Sequence, residues 1–313
     1  MDKTVTKQQL RKYSITTGVV FAEKYLQAAF SNDAEVARDP ETRHAYLGVF
    51  KGRDWILIDF NWPIRSQTVV TKPQECIISI SDTGSVRRST PSGGMDESKI
   101  GDASGEKVLG RSRMVEVRNI DGCAYSVGTR RSVYRRGAEN RWDCIDAGCY
   151  SPKDSKSGFQ SIHGFSSKEI YAVGRRGEIW EFNGNVWIER DSGTNVTLHK
   201  VLCAPDGFVY AAGKNGAIVK GRHDAWQPLA DIPAGYEFWG MQDYAGRIFL
   251  TANTSLVLEL LPTGALQLVD FGDCDIPATA YHLTVGAGCL YSFGAKHIRK
   301  FDGREWEDVL TLE

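Results

Sequence analysis

One repeated unit constrains this chain more than any other feature, because self-similarity at a fixed period dictates architecture before local structure is read. The unit is a short apolar run ending in glycine, a turn, a second apolar run and a tryptophan. It reads Ile170-Tyr171-Ala172-Val173-Gly174 with Trp187, then Val209-Tyr210-Ala211-Ala212-Gly213 with Trp226. It recurs as Ala124-Tyr125-Ser126-Val127-Gly128 with Trp142, and as Leu290-Tyr291-Ser292-Phe293-Gly294 with Trp306. A degraded copy ends at Asn253, with Leu266 in the tryptophan's place. The end markers at positions 128, 174, 213, 253 and 294 lie 46, 39, 40 and 41 residues apart, and each Trp or Leu follows its marker by 12 to 14 residues.

Each copy reads as four short strands. One precedes the marker segment (160–165, 199–203, 237–242 and 281–285 in the clearer copies), the marker segment is the second, and two more follow across Gly- and Asn-rich turns. The marker glycine is expected to supply a positive φ at a tight turn. A four-stranded sheet of about 40 residues is not stable alone, so neighbours must stack face to face. Radial stacking closes into an all-β, single-domain β-propeller. Weaker copies upstream, around 75–88 and in 44–60, bring the expected count to seven blades: 13–66, 67–111, 112–157, 158–196, 197–234, 235–276 and 277–313. Six blades with an N-terminal appendage is the alternative, since 21–38 also reads as a helix. Ser89 to Lys107 is expected to be a flexible loop.

Composition narrows the function. With 42% apolar and 25% charged residues the chain is globular, which excludes a disordered or fibrous protein. A formal net charge of -1 argues against a general nucleic-acid binder, which runs basic. The 7 cysteines are odd in number and scattered, unlike a disulfide framework. No apolar run reaches the length of a membrane span, and the N-terminus is polar, unlike a signal peptide. A reduced cytoplasmic protein with no membrane contact is expected.

From Ser161 to Leu229 the chain resembles a bacterial propeller repeat. The residues carrying the likeness include Ile162-His163-Gly164, Ile170 to Gly174, Gly177-Glu178-Ile179, Asn183-Gly184, Trp187, Ser192-Gly193-Thr194, Leu198 to Val201, Gly216-Ala217-Ile218 and Trp226. Such repeats occur in proteins similar to the photosystem II stability and assembly factor, within the WD-repeat-like and YVTN-like superfamily. The resemblance implies the fold and little of the role, because propellers host many functions.

Catalytic signatures are sparse. The sequence has no P-loop, no His-Glu-x-x-His and no Cys-x-x-Cys pair, so no cofactor and no metal is called for. Ser81-Asp82-Thr83-Gly84 resembles a sialidase Asp-box turn but lacks the aromatic that should follow. His163 and His282 fall near equivalent places on innermost strands, with His199 close by, where they either pack or hydrogen-bond at the channel wall or bind a metal or a small anion. The repeated tryptophans are expected to pack blade on blade, leaving Trp55, Trp62 and Trp239 as candidates for exposed contact.

The turn after the marker carries Arg130 and Arg131, Arg175 and Arg176, Lys214, then Lys296 and His297. Circular closure gathers these into a basic ring around the channel mouth, suited to an acidic protein surface, unless Asp191, Asp231 and Asp275 neutralise it. The expected function is a non-catalytic protein-binding platform, monomeric until it meets its partner. Its sharper form is a bacterial immunity protein that binds and neutralises a cognate toxin or effector domain. The alternatives are an assembly or scaffolding factor and a glycan-binding or glycoside-hydrolysing propeller.

Overall fold

In the computed structural model, which describes residues 3–97, 99–101, 112–154, 156–229 and 232–312, the strands form seven antiparallel sheets. Six have four strands in chain order, and the N-terminal sheet has five, because Lys3–Val5 adds outside Asp54–Phe60. The first strand of each meander is innermost: Tyr13–Ala22, Ser66–Val70, Met114–Ile120, Phe159–Ser166, Leu198–Cys203, Phe238–Tyr244 and His282–Gly286. Each packs on its counterpart in the next blade, and the last packs on the first. The chain is a seven-bladed β-propeller.

The repeat follows from having a neighbour on both sides. In Glu169–Gly174, Ile170 and Ala172 face the third blade, whereas Tyr171 and Val173 face the fifth. A strand buried on both faces loses the apolar–polar alternation of a half-exposed one. Seven apolar clusters result, one at each blade boundary. Trp142, Trp187, Trp226 and Trp306 each pack into the boundary with the preceding blade. The Trp187 indole also donates to the Ile145 carbonyl of that blade at 2.7 Å.

Four local expectations are corrected. The marker glycines do not have positive φ, since Gly174 and Gly213 are extended at -164° and -167°. They are glycine for lack of room: a Cβ at Gly128, Gly174, Gly213 or Gly294 would lie 2.0 to 2.2 Å from a backbone carbonyl entering the same blade's innermost strand. Positive φ falls on following residues instead, including Arg130, Arg131, Arg176 and Asn215. The segment 21–38 is not one helix. Tyr13–Ala22 and Tyr25–Asn32 form a hairpin, and only Asp33–Arg38 is helical, because Leu26 to Phe30 is buried on both faces. Ser89 to Lys107 is not simply a loop, since Val86–Thr90 and Gly93–Glu97 complete the second blade, while 98 and 102–107 lie outside the described residues. Trp55 is buried between Phe30 and Phe50 rather than exposed.

Among the described residues no strand is exchanged between the chain ends, so the ring closes by side-chain packing and by hydrogen bonds across the seam, among them Ile15 N–H to the Ala295 carbonyl at 2.8 Å. Gly18 lies against the Phe293 ring and Gly286 against Val20, so close that neither position has room for a Cβ. The Lys296 ammonium reaches across this seam, donating to the carbonyls of Arg11 and Tyr13 at 3.0 and 2.8 Å and to Asp33 at 2.6 Å.

Innermost strands turn an unpaired edge toward the channel, and side chains of the preceding blade satisfy it. Ser66 Oγ accepts from Val117 N–H, Glu116 from Ile162, Ser161 Oγ from Val201 and the His163 ring from Cys203, at 2.9 to 3.2 Å. These contacts remove the liability of a buried strand edge.

Candidate functional site

The turns between second and third strands share one face with the loops between blades. The expected basic ring sits on that face, and ion pairs consume most of it. Arg131 makes a bidentate pair with Glu178 of the next blade at 2.9 and 3.2 Å and lies over the Trp180 ring. Arg176 pairs with Asp154, and Lys214 reaches Glu237 at 3.5 Å. Lys296 belongs to the ring seam. His297 is buried, and burial and then Arg299 push its imidazole down to about 4, so it is neutral at pH 7. Arg130 is half-buried and also engaged. Arg175 stands exposed. Among the described residues the ring's ion pairs are made with Glu178, Asp154, Glu237 and Asp33; of the aspartates expected from sequence, Asp231 lies outside the described residues.

Inside this rim a cavity of about 320 Å³ opens, lined by residues from all seven innermost strands and from adjoining turns. Trp239 sits at its mouth, 38% exposed and stacked on His199 with ring centroids 4.4 Å apart. Deeper, Glu116 of the third blade meets the Lys200 ammonium of the fifth, an ion pair that spans the fourth. Burial alone would raise the Glu116 carboxyl, but Lys200 and Arg118 outweigh it and hold it below the ordinary carboxylate range. Burial, aided by Arg118, pushes His163 down to about 3, and burial with Lys200 and Arg118 does the same to His282. Both rings are neutral at pH 7. His163 is committed to the Cys203 amide, so of the two readings the wall-packing one describes it. Among the described residues no cluster of three or more His, Cys, Asp or Glu is placed to hold a metal.

A second concavity of about 560 Å³ adjoins the channel mouth, sharing Thr16, Arg65 and Val115 with it. Its far wall is built around the Asp33–Arg38 helix. There His44 bonds Glu35 through Nδ1 at 2.9 Å and Asp59 through Nε2, and the Tyr46 hydroxyl donates to Glu35 at 2.8 Å. The Asp59 bond, offset in part by burial and reinforced by Glu35, raises the His44 pKa.

The sequence analysis placed the rim residues on this face and named Trp239 only as a candidate for exposed contact, and it missed Arg65, Glu116, Arg118 and Lys200. In Met114–Ile120, Glu116 and Arg118 sit two apart and read as an ordinary solvated strand face. Only the closed ring turns that pattern inward.

No protein-family model matches the chain. Among solved structures it is similar to YCF48 bound to D1 peptide, with TM-score 0.64 and 13% identity, covering 96% of this chain and 94% of that one. It is also similar to the WD40 β-propeller domain of Doa1, with TM-score 0.66 and 10% identity, covering 97% and 95%. These agree with the propeller resemblance and carry the fold alone. In sequence the chain is 35% identical, over 305 residues, to the immune protein Tsi7 of Pseudomonas aeruginosa strain PAO1, covering 95% of this chain and 97% of that protein. With so much identity along nearly the whole of both chains, this protein belongs to the family of the immune protein Tsi7.

Proposed function

We propose that this protein is a non-catalytic immunity protein that acts in the cytoplasm as a monomer until it binds and neutralises one cognate toxin. The observation that carries the reading is the 35% identity to an immune protein across 97% of its length. The structure supports it in kind. A rigid ring of blades presents preformed loops, the arrangement that favours tight protein binding without ordering costs. We place the contact on the rim face, which combines the channel mouth, the adjoining concavity, the half-exposed Trp239 and Ile276, 81% exposed in a loop between blades.

The test is affinity purification from the native host at low and high salt, followed by toxicity assays. One stoichiometric partner surviving high salt is expected, lethal when expressed alone and harmless with this protein. Several salt-sensitive partners, or a partner whose toxicity is unaffected, would refute the reading.

A further inference from the structure

We propose that the channel mouth is an oxyanion site built on Arg118, which takes the carboxylate of an acidic side chain on the protein partner. Arg118 lines the cavity from the third blade's innermost strand, and among the described residues no hydrogen bond or ion pair engages its guanidinium. The nearest complementary charge is already committed. Glu116 gives one oxygen to Lys200 and the other to the Ile162 amide, so it serves the ring's integrity rather than Arg118. Arg65 adds a second cation at the lip. The lining therefore holds three cations, Arg65, Arg118 and Lys200, against one carboxylate, Glu116. Asp243 is a second carboxylate near enough to feel Arg118; burial raises its carboxyl and Arg118 opposes that, but among the described residues the two form no ion pair.

A guanidinium in a partly dry channel with no carboxylate on its donor fork leaves hydrogen-bonding capacity unmet, and a planar carboxylate matches that fork with two parallel hydrogen bonds. Thr16, Thr17 and Gln160 add uncharged polar groups around that position. Trp239 and His199 form a flat wall at the mouth, fit to cover the aliphatic stem of a glutamate or aspartate. The cavity admits a side chain, not a folded domain. The partner's carboxylate as occupant rests on the toxin-binding reading, whereas the anion site itself does not, and the experiment separates the two.

The wild-type protein is titrated with sodium acetate, then with sodium phosphate, at constant ionic strength while the His282 and His163 imidazole signals are followed by NMR. A saturable shift is expected, lost in Arg118→Gln and at least threefold weaker in Arg118→Lys. Arg118→Gln removes no hydrogen bond but withdraws a charge that helps keep Glu116 ionised, so a small fall in Tm with a cooperative melt is expected, and the melt shows that the variant is folded for the titration. A linear, unsaturable response, or the same titration in Arg118→Gln, would overturn the site. With the purified partner, Arg118→Gln is expected to raise Kd at least tenfold, with phosphate competing against the wild-type complex. Anion binding with an unchanged partner Kd would give the site to a free anion and overturn the partner's part in it.

Discussion

Replacing Lys296 with methionine tests how the ring is held shut. The substitution keeps most of the aliphatic stem and removes the ammonium that joins the last blade to the first. Three acceptors lose their donor: the Arg11 and Tyr13 carbonyls and Asp33, which retains the Ser14 hydroxyl at 2.6 Å. Hydrogen bonds to a charged donor contribute about 1.5–3 kcal/mol each when buried. Here the Lys296 and Asp33 side chains are 27% and 42% exposed, so water reaches the freed acceptors and solvent screening reduces the ionic part. We expect a loss of about 2 kcal/mol, or about 3 °C in Tm for a chain of this size. Hydrogen exchange gives the sharper readout. The Ile15 and Leu312 amides bond to the carbonyls of Ala295 and Lys296, so they should lose protection before the amides of the fourth and fifth blades. Lys214→Met is the control, because Lys214 occupies the equivalent turn but is 50% exposed with Glu237 only 3.5 Å away. Its loss should stay within about 0.5 kcal/mol. Equal effects of the two substitutions, or uniform deprotection around the ring in Lys296→Met, would refute the seam.

Gly174→Ala should destabilise by about 3 kcal/mol or prevent soluble expression, since its Cβ would lie 2.1 Å from the Gly158 carbonyl oxygen; Gly235→Ala, with open space around it, should be neutral in the same urea unfolding experiment. Arg131→Gln should cost about 2 kcal/mol by leaving the buried Glu178 with only Arg176, at 3.5 Å, whereas Arg175→Glu should leave Tm unchanged and slow only association with an acidic partner. Stability should fall on acidification from about pH 6.5, the unfolded imidazole pKa. The His297, His163 and His282 imidazoles are pushed to about 4, 3 and 3 in the fold, so the unfolded chain takes up more protons over that interval. Each contributes a slope of about 1.4 kcal/mol per pH unit until its folded pKa is reached. His44, whose pKa is raised, acts in the opposite sense and loses its contribution as pH rises through its folded value. A urea midpoint that is flat between pH 6.5 and 5 would contradict this assignment.

The sequence by itself determined the architecture. A 40-residue period, two-sided apolar marker strands and a tryptophan at a constant offset suit only short sheets with a neighbour on each face, and that pattern also placed Trp187 and its equivalents in the core. The blade count was legible for the same reason, although two-sided burial made 21–38 look helical. The candidate site was not legible to the same degree. That basic turns share a face follows from topology, but whether Arg131 is free or held by Glu178 depends on a contact 47 residues away. The same closure makes Lys296 a clasp for residues at the opposite end of the chain. The channel is the clearest case, since each strand contributes only one to four residues to its lining. What gathers Arg65, Arg118 and Lys200 around one cavity is the closing of the ring, a long-range event to which local periodicity is blind.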